Sequence, residues 1–295
     1  MKAVGVALAA VVGVSALVAS TAASAHSSRA AAGVSCKSAL TIAMVTPLTG
    51  GAAILGQEQL SWAQYAVATL PQQYGLKVKL VQGDTPVEQG PAPAVALAQK
   101  YVSDKSVVAI LGPSTSGAVA ASSPTYEAAS LTQVSESATR TDLSQGPLAQ
   151  REAGPHFFRV IPGDYIQGPS DANFMIKMLH VKKVVLFDFQ EPYSLGLTAA
   201  ADAILTKAGV QTVHLSAPNT TTDYSSYVSK VPSDADVVFF PTQKPGDAQT
   251  MATQLAEQGK KAKVFGGDGS NDPTAFKFPG SYVSNFAAPI NPPWM

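Results

Sequence analysis

Short apolar runs alternate with amphipathic ones along most of the chain, and this alternation restricts the possible folds more than any other feature. Ala39–Val45, Leu76–Val81, Val107–Leu111 and Thr132–Val134 read as strands. Between them Gly56–Leu70, Ala92–Ser103 and Ser116–Ala128 read as helices. In the first of these, Leu60, Ala63, Val67 and Leu70 recur at three- and four-residue spacing and form one apolar face. A second set of alternations starts at Phe157. Its strands are Phe157–Val160, Lys183–Phe187, Val210–Leu215, Val237–Phe240 and Lys263–Phe265. Its helices are Tyr165–Leu179, a segment carrying Leu197, Ala201, Ile204 and Ala208, then Tyr224–Val231 and Gly246–Gln258, the last capped by Gly259. Strands that are apolar on both faces need cover on both faces, so the expected class is α/β with parallel sheets between helices. The Gly- and Pro-containing loop Gln145–Gly154 interrupts the pattern and reads as the junction of two lobes.

Charge and composition exclude several functions. The 20 basic residues balance the 20 acidic ones, which argues against nucleic acid as a partner. A single cysteine allows neither an intramolecular disulfide nor a cysteine-rich metal cluster. No glycine-rich turn has nucleotide-binding spacing: Thr49-Gly50-Gly51 through Gly56 does not match, and Gly112-Pro113-Ser114-Thr115-Ser116-Gly117 is not a serine-nucleophile turn. His26, His156, His180 and His214 are scattered without a partner four residues on, so neither a zinc helix nor a triad is evident and no catalytic residue is assigned. No cofactor or metal is expected.

The amino terminus reads as an export signal. Lys2 is followed by an Ala/Val/Leu-rich uncharged run, and Ala23-Ser24-Ala25 is a small-x-small cleavage site, so residues 1–25 are assigned to a signal peptide and 26–37 to a flexible leader. The mature protein is expected outside the cytoplasm. Cys36 lies beyond that site and lacks a leucine three positions back, so it reads as a thiol at the domain entrance in preference to a lipidated residue.

Hydroxyls, turns and one acidic loop remain as recognition material. Ser116 opens a helix, where free N–H groups favour an anion. Ser137 and Thr139 follow the next strand and can bond the same anion, while Asp268 in Phe265-Gly266-Gly267-Asp268-Gly269 can neutralise a cation. The plainer alternative is that Ser116 is a helix N-cap and Asp268 shapes a turn.

From about Leu40 to Pro289 the chain resembles the leucine/isoleucine/valine-binding family of type I periplasmic binding proteins, the solute receptors of ABC importers. The matching pieces stand in family order: Pro47-Leu48-Thr49-Gly50 with Gly56; Asp84; Val108 to Pro113 with Ser114 and Ser116; Val134 to Thr139 with Asp142-Leu143. Phe158-Arg159 with Pro162, Asp164 and Gln167-Gly168 follows, then Asp188 with Tyr193 and Gly196, and finally Phe265 to Gly269. The resemblance implies two Rossmann-like lobes with parallel sheets joined by a hinge, the first over 38–156 and the second over 157–286. Residues 287–295 would begin a return crossover that stops short, leaving apolar surface on the first lobe uncovered.

The same resemblance implies a monomeric, non-enzymatic receptor that delivers an amino acid or similar small polar solute to an importer permease. A ligand-sensing lobe for a membrane signalling partner, or a receptor for an amide or aromatic acid, is the alternative. Ser116 then matches the residue binding the ligand carboxylate, Ser137 and Thr139 the loop binding carboxylate and amino group, Tyr193 an aromatic wall of the second lobe, and Asp268 the partner of the ammonium. Leu55 and Gln243 stand where the family often has tyrosines, which weakens the implied preference for leucine-type side chains while leaving the headgroup contacts in place.

Overall fold

The computed structural model describes residues 39–147 and 150–286; the proposed signal, the leader, Cys36 and residues 287–295 lie outside the described residues. The strands are β1 (Leu40–Thr46), β2 (Val78–Asp84), β3 (Val107–Leu111), β4 (Gln133–Ser135), β5 (Phe157–Arg159), β6 (Lys183–Asp188), β7 (Gln211–Ser216), β8 (Val237–Phe239), β9 (Lys263–Gly266) and β10 (Tyr282–Val283). The helices are α1 (Ala53–Gln73), α2 (Ala92–Ser103), α3 (Ser116–Ala128), α4 (Asp164–Lys177), α5 (Pro192–Lys207), α6 (Ser225–Val228) and α7 (Pro245–Glu257).

Two five-stranded sheets form, ordered β2-β1-β3-β4-β5 and β10-β9-β8-β6-β7, with parallel pairing throughout. The second sheet shows why its strands are apolar without interruption. Val185, Phe187 and Val238 face one buried cluster, while the intervening Val184, Leu186, Val237 and Phe239 face another. Period-two geometry sends neighbours to opposite sides, and helices cover both. On one side the rings of Phe187, Phe189, Tyr224 and Phe240 pack with centroids 4.9–6.1 Å apart. This is the edge-to-face and tilted range that aromatic pairs favour.

The first sheet is covered less evenly. Ala43, Val45 and Ile110 pack with Ala98, Tyr101 and Tyr126 of α2 and α3. On the opposite face Ile42, Ala109, Leu111 and Val134 lie beside Ala63, Val67 and Leu70 of α1 and leave an apolar groove of about 270 Å3. Trp62 and Tyr65 of α1 are about two-thirds exposed.

One boundary differs from expectation. Phe157–Arg159 pairs with β4 and is an edge strand of the first sheet, so the change of sheet falls after Arg159 and not before Phe157. The loop Gln145–Gly154 accordingly joins β4 to β5 within the first lobe and does not connect the lobes. Among the described residues the chain passes between the sheets once, through Val160–Gly163.

Two close approaches set the helices in place. A side chain on Gly56 would overlap the Pro47 carbonyl oxygen, so α1 can begin against the end of β1 only with glycine there. A Cβ on Gly168 of α4 would lie 2.5 Å from Ala200 Cβ and 2.9 Å from its carbonyl carbon, so α4 and α5 pack nearly backbone to backbone.

Candidate functional site

In parallel sheets ligand-binding groups gather beyond the carboxyl ends of the strands. Here those ends carry β3–α3 and β4–β5 loops on the first lobe, and α4, α5 and the β9 turn on the second. The β4–β5 loop is organised by Ser135, whose hydroxyl donates to Pro113 O at 2.6 Å and accepts from Ala138 N at 3.0 Å. Ser137 Oγ donates to Ser114 O at 2.7 Å and accepts from Gln59 Nε2 at 3.0 Å, so its hydroxyl is already engaged.

Ser116 is almost wholly buried, and its Oγ accepts from Arg140 N at 3.2 Å. It is not the cap of α3: Thr115 holds that position, with its hydroxyl accepting from Ala118 N at 3.2 Å. Ser116 therefore ties the start of α3 to the loop bearing Thr139. Thr139 is fully buried, its carbonyl accepts from Asp164 N at 2.8 Å, and its hydroxyl has no partner of regular geometry.

Asp164, the first residue of α4, faces that hydroxyl from the second lobe. It is fully buried, and neither carboxylate oxygen completes a hydrogen bond of regular geometry. Burial pushes its carboxyl up to about 7; the Thr139 hydroxyl draws it down in part, and the charge of Asp268 adds to the rise. Gly196 of α5 leaves room for Asp164 Oδ2. Sequence reasoning placed Asp164 in a motif but gave it no role, because an acidic residue after glycine at a helix start looks like ordinary end chemistry.

Asp268 begins a short 3-10 turn after β9. Tyr193 Oη donates to Asp268 Oδ1 at 2.8 Å and accepts from Gly269 N at 3.2 Å. Tyr193 does not present its ring as a wall of the cleft. It is 2% exposed and its ring packs in the core with Leu197 and Phe265, so only the hydroxyl reaches the acidic loop. Burial raises the Tyr193 hydroxyl well above its usual value and also raises the Asp268 carboxyl. Deeper along α4, Asp171 is held by Ser284 Oγ at 3.1 Å, and burial pushes it up to about 8.

Thr139 and Asp268, the latter held by Tyr193, act on Asp164 directly; Ser116 reaches the same loop through Arg140 N, and Ser137 stands one layer back on Ser114 and Gln59. Asp164, Asp268 and Asp171 line the second-lobe wall with acidic groups whose neutral forms burial favours. Beside it lies a cavity of about 600 Å3 between the lobes. None of the five residues lines the cavity directly, but Thr115 and Gly117 on either side of Ser116 do, and so does Pro192 beside Tyr193. His156 and His214 pair with Glu127 at 2.7 Å and Asp202 at 3.2 Å and take no part. Among the described residues no group of three or more metal-ligating side chains could hold an ion, and no helix is long and apolar enough to cross a membrane.

A family profile described as periplasmic binding protein matches residues 39–289. An amino acid binding protein of Pseudomonas aeruginosa is 28% identical over 233 residues, covering 77% of this chain and 60% of that protein. The Leu/Ile/Val-binding protein BraC3 of Rhizobium johnstonii is 28% identical over 235 residues, covering 78% and 61%. The chain therefore spans about 60% of the length of these relatives. Among solved structures, a leucine binding protein from Thermotoga maritima superposes with a TM-score of 0.73 at 26% identity, covering 82% of this chain and 67% of that one.

Proposed function

Because the chain belongs to the periplasmic binding protein family, a family of binding proteins and not of enzymes, we propose that it is an extracytoplasmic receptor that binds an α-amino acid between its lobes and delivers it to an ABC importer. The observation that carries this reading is the unpartnered Asp164 carboxylate opposite the unpartnered Thr139 hydroxyl, with Asp268 behind. A buried carboxylate without a partner is costly, and a bound ammonium removes that cost.

The headgroup reading assigns each end of a zwitterion. The ammonium lies between Asp164, Asp268 and the Thr139 hydroxyl. The carboxylate lies at the start of α3, against Ser116 and the backbone of the Ser137–Thr139 loop, where the helix end favours negative charge. Tyr193 positions Asp268 without touching the solute. Four hydrogen bonds to charged groups at roughly 1.5–3 kcal/mol each supply about 6–12 kcal/mol, which spans the roughly 8 kcal/mol of a micromolar complex, and association and ordering costs are drawn from the same sum. The carboxylate's groups belong to the first lobe and the ammonium's two acids to the second, so a solute that engages both favours closure by its differential affinity. A permease that docks on the closed form then reads occupancy.

Calorimetry with matched compounds tests this. L-Amino acids are expected to bind, while their deaminated and decarboxylated analogues bind at least tenfold more weakly. Equal affinity for a deaminated analogue removes Asp164 and Asp268 from the site.

A further inference from the structure

The cavity of about 600 Å3 lies within the size range of small-molecule sites. Its lining has an uneven charge. Glu88 and Glu191 contribute carboxylates, and no lysine, arginine or histidine is among the lining residues. The two carboxylates are not equivalent. Glu191 is consumed by the fold: its oxygens accept from Tyr193 N at 2.8 Å and Ser194 N at 2.6 Å and cap α5. Glu88 spends Oε1 on Gly51 N at 2.7 Å, whereas Oε2 is buried against Gly50 without a hydrogen-bond partner.

The lysine beside Glu88 is also committed elsewhere. Lys244 lays its stem against Gly51 beside Glu88, but its ammonium pairs with Asp247 at 2.7 Å and donates to Asn219 O at 2.6 Å. None of the ion pairs among the described residues includes Glu88. Thr85, at the end of β2 and 4% exposed, adds a second unpartnered oxygen on the same wall. Asn219 Nδ2 donates to Val87 O at 3.1 Å and joins the lobes across this side. Water exclusion on closure therefore falls on a carboxylate that has no counter-charge.

We infer that the solute carries a second cationic group at its distal end, an ammonium or guanidinium, which enters the 600 Å3 cavity and pairs with Glu88 while Thr85 accepts from it. The preferred class is a basic α-amino acid, with the side chain running from the headgroup past Gly117 into the cavity. This rests on the headgroup reading above. Gln243, Asn219 and Thr220 supply neutral polar lining that tolerates such a chain.

Titration calorimetry of the full chain with lysine, ornithine and norleucine tests it, since norleucine has the chain without the terminal charge. Lysine or ornithine is expected to bind about ten- to a hundredfold more tightly than norleucine, the range of one hydrogen bond to a charged group. Glu88→Gln retains an acceptor for Gly51 N and is expected to shrink the lysine-to-norleucine ratio at least tenfold; Thr85→Val is expected to shrink it about threefold or more. Norleucine binding as tightly as lysine, or a ratio that survives Glu88→Gln, overturns the inference while leaving the headgroup reading intact. Failure of all three amino acids to bind overturns the headgroup reading, and this inference with it.

Discussion

The hydroxyl of Tyr193 lies 2.8 Å from Asp268 Oδ1 while its ring is locked in the core between β-sheet and helix. An aromatic residue of α5 thus sets the direction of a carboxylate in a turn 75 residues further on. Tyr193→Phe is expected to keep the packing and lose that hold, along with the acceptor for Gly269 N. Amino-acid affinity measured by calorimetry should fall about five- to fiftyfold, less than for a lost direct bond to the solute because Tyr193 acts through Asp268. Urea unfolding of the ligand-free protein should change by only about 1 kcal/mol. An affinity equal to wild type would place Asp268 outside the binding process.

Asp164 gives the protein a pH dependence whose sign follows from its raised value. The unfolded carboxyl titrates near 3.8 and the folded one near 7, and Asp171 rises to about 8 in the same way. Asp268, Arg159 and Glu191 face Asp164, and Asp268 and Asp164 face Asp171. Between about pH 4 and 7–8 the folded protein retains protons that the unfolded chain has lost, so stability falls as pH rises through that window. The ligand-free Tm is expected to be lower at pH 8 than at pH 5. Because an ammonium favours the ionised carboxylate, solute binding near neutrality should release protons, measurable as a buffer-dependent calorimetric enthalpy. Asp164→Asn should raise ligand-free stability at pH 8 by roughly 1–3 kcal/mol while weakening amino-acid binding.

Ser116 gives a test of the anionic end. Ser116→Ala removes the acceptor for Arg140 N, and with it the proposed donor for the solute carboxylate. Affinity for amino acids should drop by about 1–3 kcal/mol, and affinity for the corresponding amino-acid amides should drop less. Equal losses for both would indicate that Ser116 only ties α3 to its neighbouring loop.

Gly56 and Gly168 test the frame. At Gly56 a methyl group would overlap a backbone carbonyl that cannot swing away, so Gly56→Ala should destabilise by about 2 kcal/mol or more in thermal unfolding. At Gly168 the new methyl meets Ala200, and a similar loss is expected. A Tm unchanged in both variants would mean that the helices separate at little cost.

The strand and helix order was legible because both sheets are parallel, so inner strands such as β6 and β8 are apolar runs buried on both faces, while the outer β2 and β7 alternate apolar and polar residues. Phe157–Arg159 was misassigned for a local reason. Its three residues carry no mark of which sheet they pair with, and only the bonds to Gln133–Ser135 decide it. Ser116, Thr139 and Asp268 stood out in the sequence because turn and helix-start positions concentrate polar groups. The orientation of Tyr193 was not, since a tyrosine at a helix start reads the same whether its ring faces a cleft or a core. Asp164 and Glu88 escaped notice for a shared reason: what distinguishes each is a missing partner, which depends on what the other lobe and loops bring near.

The contact of Gly168 with Ala200 has a mechanical consequence. Helices this close cannot slide past each other, so Asp164 at the head of one and the Tyr193 support of Asp268 on the other travel as a single lever arm. Among the described residues Val160–Gly163 is the single connection between the sheets, so a displacement of that arm against the first lobe would bend the chain there.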